Sequence, residues 1–183
     1  LEAFRSGKCV DKLFVLDRCQ DGPVRTIIRE ARKKDTIINF VQKERLDQLS
    51  ETGVHQGVIA QVAAYEYATV EDILENARKK GEPPFLFLLD DIEDPHNLGA
   101  IIRTANLAGA HGVIIPKRHA VGLTATVAKT SAGALNYTPV AKVSNLAQTI
   151  EELKKQGREE EAKEDFFPLC YLFAESQVHK LEK

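Results

Sequence analysis

The chain has 183 residues, 43% of them hydrophobic and 28% charged, with a formal net charge of −2. That is room for one large or two small domains of ordinary globular composition, and no apolar run reaches the roughly 20 residues needed to cross a bilayer. A net charge this close to zero excludes a global basic field, so any nucleic-acid contact must come from local patches.

The opening Leu1-Glu2-Ala3-Phe4-Arg5 has no long apolar core of a secretory signal. The chain contains no Met, so it is expected to begin partway into a longer protein. Lys12-Leu13-Phe14-Val15-Leu16 reads as a first strand. Asp21-Gly22-Pro23 starts a helix, with proline near its first position. Val24, Ile27, Ile28 and Ala31 recur at helical spacing, while Arg25, Arg29, Arg32, Lys33 and Lys34 fill the other face. Residues 36–41 form a second strand, residues 43–50 a short helix with Leu46 and Leu49 inward, and residues 57–63 a third strand. This alternation predicts a small α/β/α domain over residues 1–64. The polar, glycine-containing stretch at residues 51–57 is either a plain connector or a loop whose His55 and Gln56 hydrogen-bond unpaired RNA bases.

Residues 65–84 read as a linker and leading helix. Thr69 is its N-cap, Glu71 and Asp72 lie in the first turn, Arg78, Lys79 and Lys80 lie in the last, and Gly81-Glu82-Pro83-Pro84 breaks it. The second domain spans residues 85–183. Phe85-Leu86-Phe87-Leu88-Leu89 is apolar without alternation, as in a strand covered on both faces. A helix at residues 98–109, a strand at 112–115, helices near 124–130 and 146–156, and a strand at 139–143 complete a parallel, helix-flanked sheet. Residues 157–183 are atypical. The run at 158–165 is almost wholly charged and reads as a solvated link, and residues 166–173 could add one strand. Cys9, Cys19 and Cys170 are far apart and share no metal-ligand spacing. No metal is expected, and the cysteines read as reduced thiols of a cytoplasmic protein.

The chemistry concentrates after the first strand of the second domain, where sites form in open α/β sheets. Asn97 there is either a helix N-cap or a functional amide. Gly99 admits another backbone or a ligand, and Arg103 is a permanent cation. Lys117, Arg118 and His119 follow a strand end, where a phosphate-binding patch is credible. Lys129 is an exposed lysine or a phosphate contact. Ser131 and Gly133 either pack closely or wall a cleft. No Gly-x-Gly-x-x-Gly follows residues 85–89, against a Rossmann nucleotide site.

The segment Asp94-Pro95-His96-Asn97-Leu98-Gly99-Ala100-Ile101-Ile102-Arg103-Thr104-Ala105 resembles the first motif of the SpoU (TrmH) family of RNA ribose 2′-O-methyltransferases. Ala128-Lys129-Thr130-Ser131-Ala132-Gly133-Ala134 and Asn136-Tyr137-Thr138-Pro139-Val140 resemble its small-residue segment and continuation. Upstream, Leu1-Glu2-Ala3-Phe4-Arg5-Ser6-Gly7 and His55-Gln56-Gly57-Val58-Ile59-Ala60 resemble the ribosomal-protein-like substrate-binding domain of the RlmB branch. The resemblance implies an α/β chain in which a small α/β/α RNA-binding domain precedes a SPOUT-type parallel-sheet domain. It also implies a homodimer, S-adenosylmethionine as cofactor and ribosomal RNA as partner. Carried over by motif position, Asn97 and Arg103 are catalytic; His55, Gln56, Lys117, Arg118 and Lys129 are the RNA-binding candidates. The family's glycine-rich second motif and its third motif are not found. Cys170-Tyr171-Leu172-Phe173-Ala174-Glu175-Ser176 is the nearest approach to the second. The cofactor-binding residues are therefore unassigned, and the knot region is missing or altered. An active enzyme and a non-catalytic RNA-binding or ribosome-assembly relative both remain open.

Overall fold

The structure, a computed structural model, describes residues 2–19, 21–50, 52–161 and 170–175, with side chains described up to residue 157. The chain divides into two compact units, Leu1–Glu66 and Tyr67–Lys183.

The first unit contains α1 (Glu2–Arg5), β1 (Val10–Leu16), α2 (Gly22–Lys33), β2 (Ile37–Val41), α3 (Lys43–Leu49) and β3 (Val58–Val62). Its sheet runs β2-β1-β3, with β1 parallel to β2 and antiparallel to β3. A register shift between Val10 and Lys12 resets the side-chain alternation of β1. Val10, Leu13 and Val15 therefore join one core with Phe4, Val24 and Ala31. Pro23 sits in the first turn of α2, where its missing N–H costs no hydrogen bond. The apolar stripe of α2 turns to this core, which leaves its arginines outside. Leu46 of α3 is fully buried, while Leu49 is half-buried.

The second unit contains α4 (Val70–Lys80), β4 (Phe85–Asp90), α5 (Pro95–Leu107), β5 (Gly112–Pro116), α6 (Ala125–Thr130), a 3₁₀ turn (Ala134–Asn136), β6 (Val140–Val143), α7 (Leu146–Glu161) and β7 (Cys170–Glu175). All four strands are parallel, in the order β6-β5-β4-β7. The apolar run at residues 85–89 is central, and Leu86, Leu88 and Leu89 have at most 1% exposure. Full burial of side chains of this size contributes about 1.5–3 kcal/mol each. Ile73 and Leu74 of α4 enter the same core as Leu86, Leu88 and Ile114. Ahead of α4, Ala68 forms a parallel bridge to Ala141, so the sheet recruits the entry to this helix as well.

Three elements differ from the sequence reading. Helix α5 starts at Pro95 rather than residue 98, because Asp94, not Asn97, is its N-cap. Helix α7 runs on through Glu161. The first part of the charged run is thus helical rather than a loose link, consistent with the good helix propensity of Arg and Glu. The last strand is Cys170–Glu175, pairing with β4 from Phe85↔Cys170 to Asp90↔Glu175. The earlier part of the expected strand, residues 166–169, lies outside the described residues.

At the start of α4, Thr69 and Asp72 form a capping box. The Thr69 hydroxyl accepts from the Asp72 N–H at 3.1 Å and the Asp72 carboxylate accepts from the Thr69 N–H at 2.9 Å. The hydrogen bond from the Thr69 hydroxyl, then that from its N–H, holds the Asp72 carboxyl below its ordinary value. A depressed carboxyl contributes stability above its unfolded pKa, and loses it as pH falls through the folded one. Thermal melts of Asp72→Asn should therefore fall below the parent at neutral pH, with the gap closing below the ordinary Asp range. A gap independent of pH would contradict the assignment.

Candidate functional site

Strand β4 is the point where the sheet reverses direction. The chain moves from β4 to β5 to β6 on one side and returns to the other side as β7. In such sheets the crevice at the carboxyl ends of the strands flanking the reversal is the natural ligand site. Beside it, at the carboxyl ends of β4 and β5, the loops leaving these two strands meet. Val121 N–H donates to the Ile92 carbonyl at 2.8 Å. Asp91, Glu93 and His119 bring their ligand atoms within 4.8 Å of one another, all three residues being exposed. Asp91 and His119 both adopt left-handed backbone, with φ of 52° and 56°. The basic loop expected at Lys117, Arg118 and His119 is therefore met by two carboxylates, which offset part of its charge. Nothing in the spacing of these residues along the chain signals that meeting. Arg118 is exposed and Lys117 half-buried.

Helix α5 leads away from this edge. The Asp94 carboxylate accepts from the Asn97 N–H at 2.8 Å, which satisfies one of the orphan donors of the first turn. Leu98, Ile102 and Ala105 form its fully buried stripe. Asn97 and Arg103 are exposed. With Asp94 acting as the cap, the Asn97 side chain is released from that duty. The two residues lie about 9 Å apart along the axis and about 120° apart around it. They therefore do not converge by helical spacing alone. Among the described residues neither side chain has a hydrogen-bond or ion-pair partner.

Gly99 is what holds α5 in place. A Cβ there would lie 1.9 Å from Thr130 Oγ1, 2.8 Å from Thr130 Cβ and 3.0 Å from Ser131 N. The neighbour that glycine admits is thus the side chain of Thr130 at the end of α6, with the Ser131 N–H just beyond it. The Thr130 hydroxyl donates to the Thr126 carbonyl at 2.9 Å and lies 3.3 Å from the Pro95 carbonyl. Ser131 is fully buried and its hydroxyl donates to Ala128 at 2.8 Å. The small-residue segment is therefore a packing seam at Ser131, while Gly133, with φ of 88°, turns the chain into the 3₁₀ helix. Lys129 is exposed in the last turn of α6, where the helix dipole favours a cation. Further along α5, the Thr138 hydroxyl donates to Asn106 Oδ1 at 3.1 Å.

In the first unit, Gln56 and His55 have different roles. His55 Nδ1 accepts from the Gly57 N–H at 3.0 Å, and Nε2 lies 2.9 Å from Asp47 Oδ1. With Nδ1 accepting, Nε2 carries the hydrogen and donates to Asp47. The His55 side chain is 9% exposed. Both ring nitrogens are engaged within the protein, one with the Gly57 N–H and one with Asp47, so the ring ties the loop to α3. Gln56 is exposed at the tip with φ of 48°. It lines an open cavity of about 470 Å³ with Thr52, Val54 and Ile59.

These features define a two-unit α/β protein whose second unit carries a candidate ligand site at the carboxyl ends of its parallel strands. Residues 84–163 match the SpoU rRNA Methylase family, and residues 1–68 match the family described as RNA 2′-O ribose methyltransferase substrate binding. YacO of Bacillus subtilis, named as a TrmH family tRNA/rRNA methyltransferase, is 48% identical over 171 residues, covering 91% of this chain and 68% of its own. A Staphylococcus epidermidis protein named for the same family is 44% identical over 156 residues, covering 85% and 62%. The chain belongs to the SpoU/TrmH family of tRNA/rRNA methyltransferases, and spans about two thirds of the length of these relatives. Among solved structures, the SpoU methyltransferase AviRb from Streptomyces viridochromogenes, in complex with AdoMet, aligns with a TM-score of 0.47 at 21% identity, covering 97% of this chain and 70% of its own.

Four substitutions test these roles. Gly99→Ala should destabilise the protein by about 1–3 kcal/mol through overpacking. Adding Thr130→Ala should recover only part of the loss, since Thr130 Cβ itself is 2.8 Å away. Urea unfolding reads both. His55→Phe should cost about 1–2 kcal/mol for two lost hydrogen bonds and speed hydrogen exchange at the Gly57 amide. Gln56→Ala should change neither.

Proposed function

We propose that this chain forms part of an enzyme that methylates a ribose 2′-hydroxyl of ribosomal RNA. In this reading residues 1–64 hold the RNA, residues 85–183 carry the reaction and residues 65–84 join them. The observation that carries it is helix α5 at the switch point. It presents Asn97 and Arg103 to solvent with no partner among the described residues, while the polar groups packed around it are engaged within the protein. The two family matches, one for rRNA methylation and one for binding of ribose 2′-O-methyltransferase substrates, support the choice of target. A cytoplasmic homodimer is part of the same proposal. Leu107 and Tyr137 of the second unit, 81% and 79% exposed, are consistent with a partner surface. No helix among the described residues is long and apolar enough to cross a membrane.

A ribose hydroxyl is a weak nucleophile while protonated. The protein's task is to orient it and ease loss of its proton. The Arg103 guanidinium can hold an adjacent phosphate through two parallel N–H donors and stabilise developing charge on the oxygen. Asn97 offers both a donor and an acceptor to sugar or base from the first turn of the same helix. Arg118, Lys117 and Lys129 supply phosphate contacts that set register rather than sequence. Gln56 reads the RNA from the first unit, with His55 holding its loop.

S-adenosylmethionine, the cofactor bound in the AviRb structure, is the methyl donor this reading requires. Gly99 of the first motif is taken up by packing against Thr130, so the cofactor-holding residues are to be sought elsewhere in the second unit. In this reading Asn97, Arg103 and the basic residues above supply the RNA side of the reaction. The second reading is an RNA-binding or ribosome-assembly relative without transfer. Incubation with labelled S-adenosylmethionine and a ribosomal RNA transcript decides between them, with the product nucleotide identified after digestion. Transfer should occur at a ribose, and Arg103→Ala should lower turnover by about 10²-fold or more with unchanged circular dichroism. Near-normal turnover in that variant would sink the role of Arg103. Retained RNA binding without any transfer would establish the second reading.

A further inference from the structure

The first unit carries a second feature, a cationic groove along α2. Between α2 and the end of β2 lies an open cavity of about 850 Å³, lined by Arg18, Arg25, Arg29, Arg32, Lys33 and Phe40 among others. Five of its lining residues are cationic and one, Asp17, is acidic. Glu30 pairs with Lys33 at 3.1 Å and lies 3.9 Å from Arg29. Subtracting both carboxylates from the five cations leaves three positive charges in one groove, in a chain whose net charge is −2.

The position follows from topology. β1 and β2 are parallel neighbours joined through α2, so the groove opens at their carboxyl ends, where α/β units bind ligands. Arg25, Arg29 and Arg32 fall at i, i+4 and i+7 on α2 and form one row about 10 Å long. Ile38 packs into the core that includes Val24 and Ala31 of α2, and Phe40, two residues on, shares that face of the strand. The core ends before it reaches Phe40, which stays 53% exposed on an edge strand.

A row of guanidinium groups beside an exposed aromatic ring is the combination that binds single-stranded nucleic acid. The cations follow the backbone, and the ring offers a stacking face that only an unpaired base can use. We propose that this groove holds an unpaired stretch of the RNA substrate, with phosphates along Arg25, Arg29 and Arg32 and one base stacked on Phe40. The proposal rests on the RNA reading above. It adds a site distinct from the Gln56 loop and a preference for unpaired RNA.

The test uses the full chain and fluorescein-labelled oligouridylate, with a duplex of the same length and polyglutamate as comparison probes. Anisotropy should show oligouridylate binding more tightly than the duplex. Phe40→Ala should weaken it by about fivefold or more, Phe40→Trp should restore it, and Phe40→Leu should not. The Arg29→Ala, Arg32→Ala double variant should reduce the slope of log affinity against log salt by about 1.4, at about 0.7 per lost phosphate contact on a single strand. Unchanged affinity and slope in these variants would overturn the proposal. So would polyglutamate binding as tightly as oligouridylate and indifferent to Phe40, which would mark the groove as a protein-docking surface. If oligouridylate is not bound but a ribosomal RNA transcript is bound and methylated, the groove proposal fails while the wider function stands.

Discussion

The close approach of α5 to α6 at Gly99 is the contact on which the second unit depends. The hydrogen of that glycine faces Thr130 where a methyl group would lie 1.9 Å from its hydroxyl oxygen. The absence of one carbon brings α6 under the first turn of α5, with the Thr130 hydroxyl close to the Pro95 carbonyl. The helix is then held at three levels: by the Asp94 cap at its start, by Thr130 at Gly99, and by the Thr138–Asn106 hydrogen bond toward its end. A helix fixed at three points presents its remaining polar groups from a rigid support, as functional groups require.

The protein separates polar side chains that hold it together from those it leaves to solvent. His55 and His111 show the first use, and they share a design. In each, Nδ1 accepts a backbone N–H, from Gly57 and from Phe85, while Nε2 faces a carboxylate, of Asp47 and of Glu82. Each ring bridges segments that the chain alone would leave loose: the entry to β3 in one unit and the entry to β4 in the other. No buried side-chain polar atom among the described residues lacks a partner. Against that background Asn97 and Arg103 are exposed and, among the described residues, unengaged on an otherwise well-tied helix.

Charge follows the same logic of local arrangement. The net charge of −2 conceals a groove on α2 with three excess positive charges. It also conceals a switch-point edge where Asp91 and Glu93 meet His119. Over distances beyond about 10 Å salt screens such fields, so an RNA strand senses the groove rather than the sum. An RNA-binding chain therefore needs no basic overall composition.

Much of the architecture was legible in the sequence. The apolar run at residues 85–89, the capping pattern at Thr69 and Asp72, the stripe on α2 and the first family motif are all local patterns, encoded within one or two turns or one strand. The misreadings were also local. Asp94, Pro95 and Asn97 each suit a helix start, and only the backbone decided that Asp94 is the cap. What the sequence by itself determined is the order of elements and the family to which the chain belongs, because periodicity, caps and motifs are properties of neighbouring residues. What only the tertiary structure decided is the work each singled-out residue does. That Gly99 receives Thr130, that His55 is spent on Asp47 and Gly57, and that Phe40 borders the arginines of α2 all depend on atoms brought together by the closing of the sheets. Pro95 and Thr130 stand 35 residues apart in the chain, and no periodicity in the sequence encodes a contact across that distance.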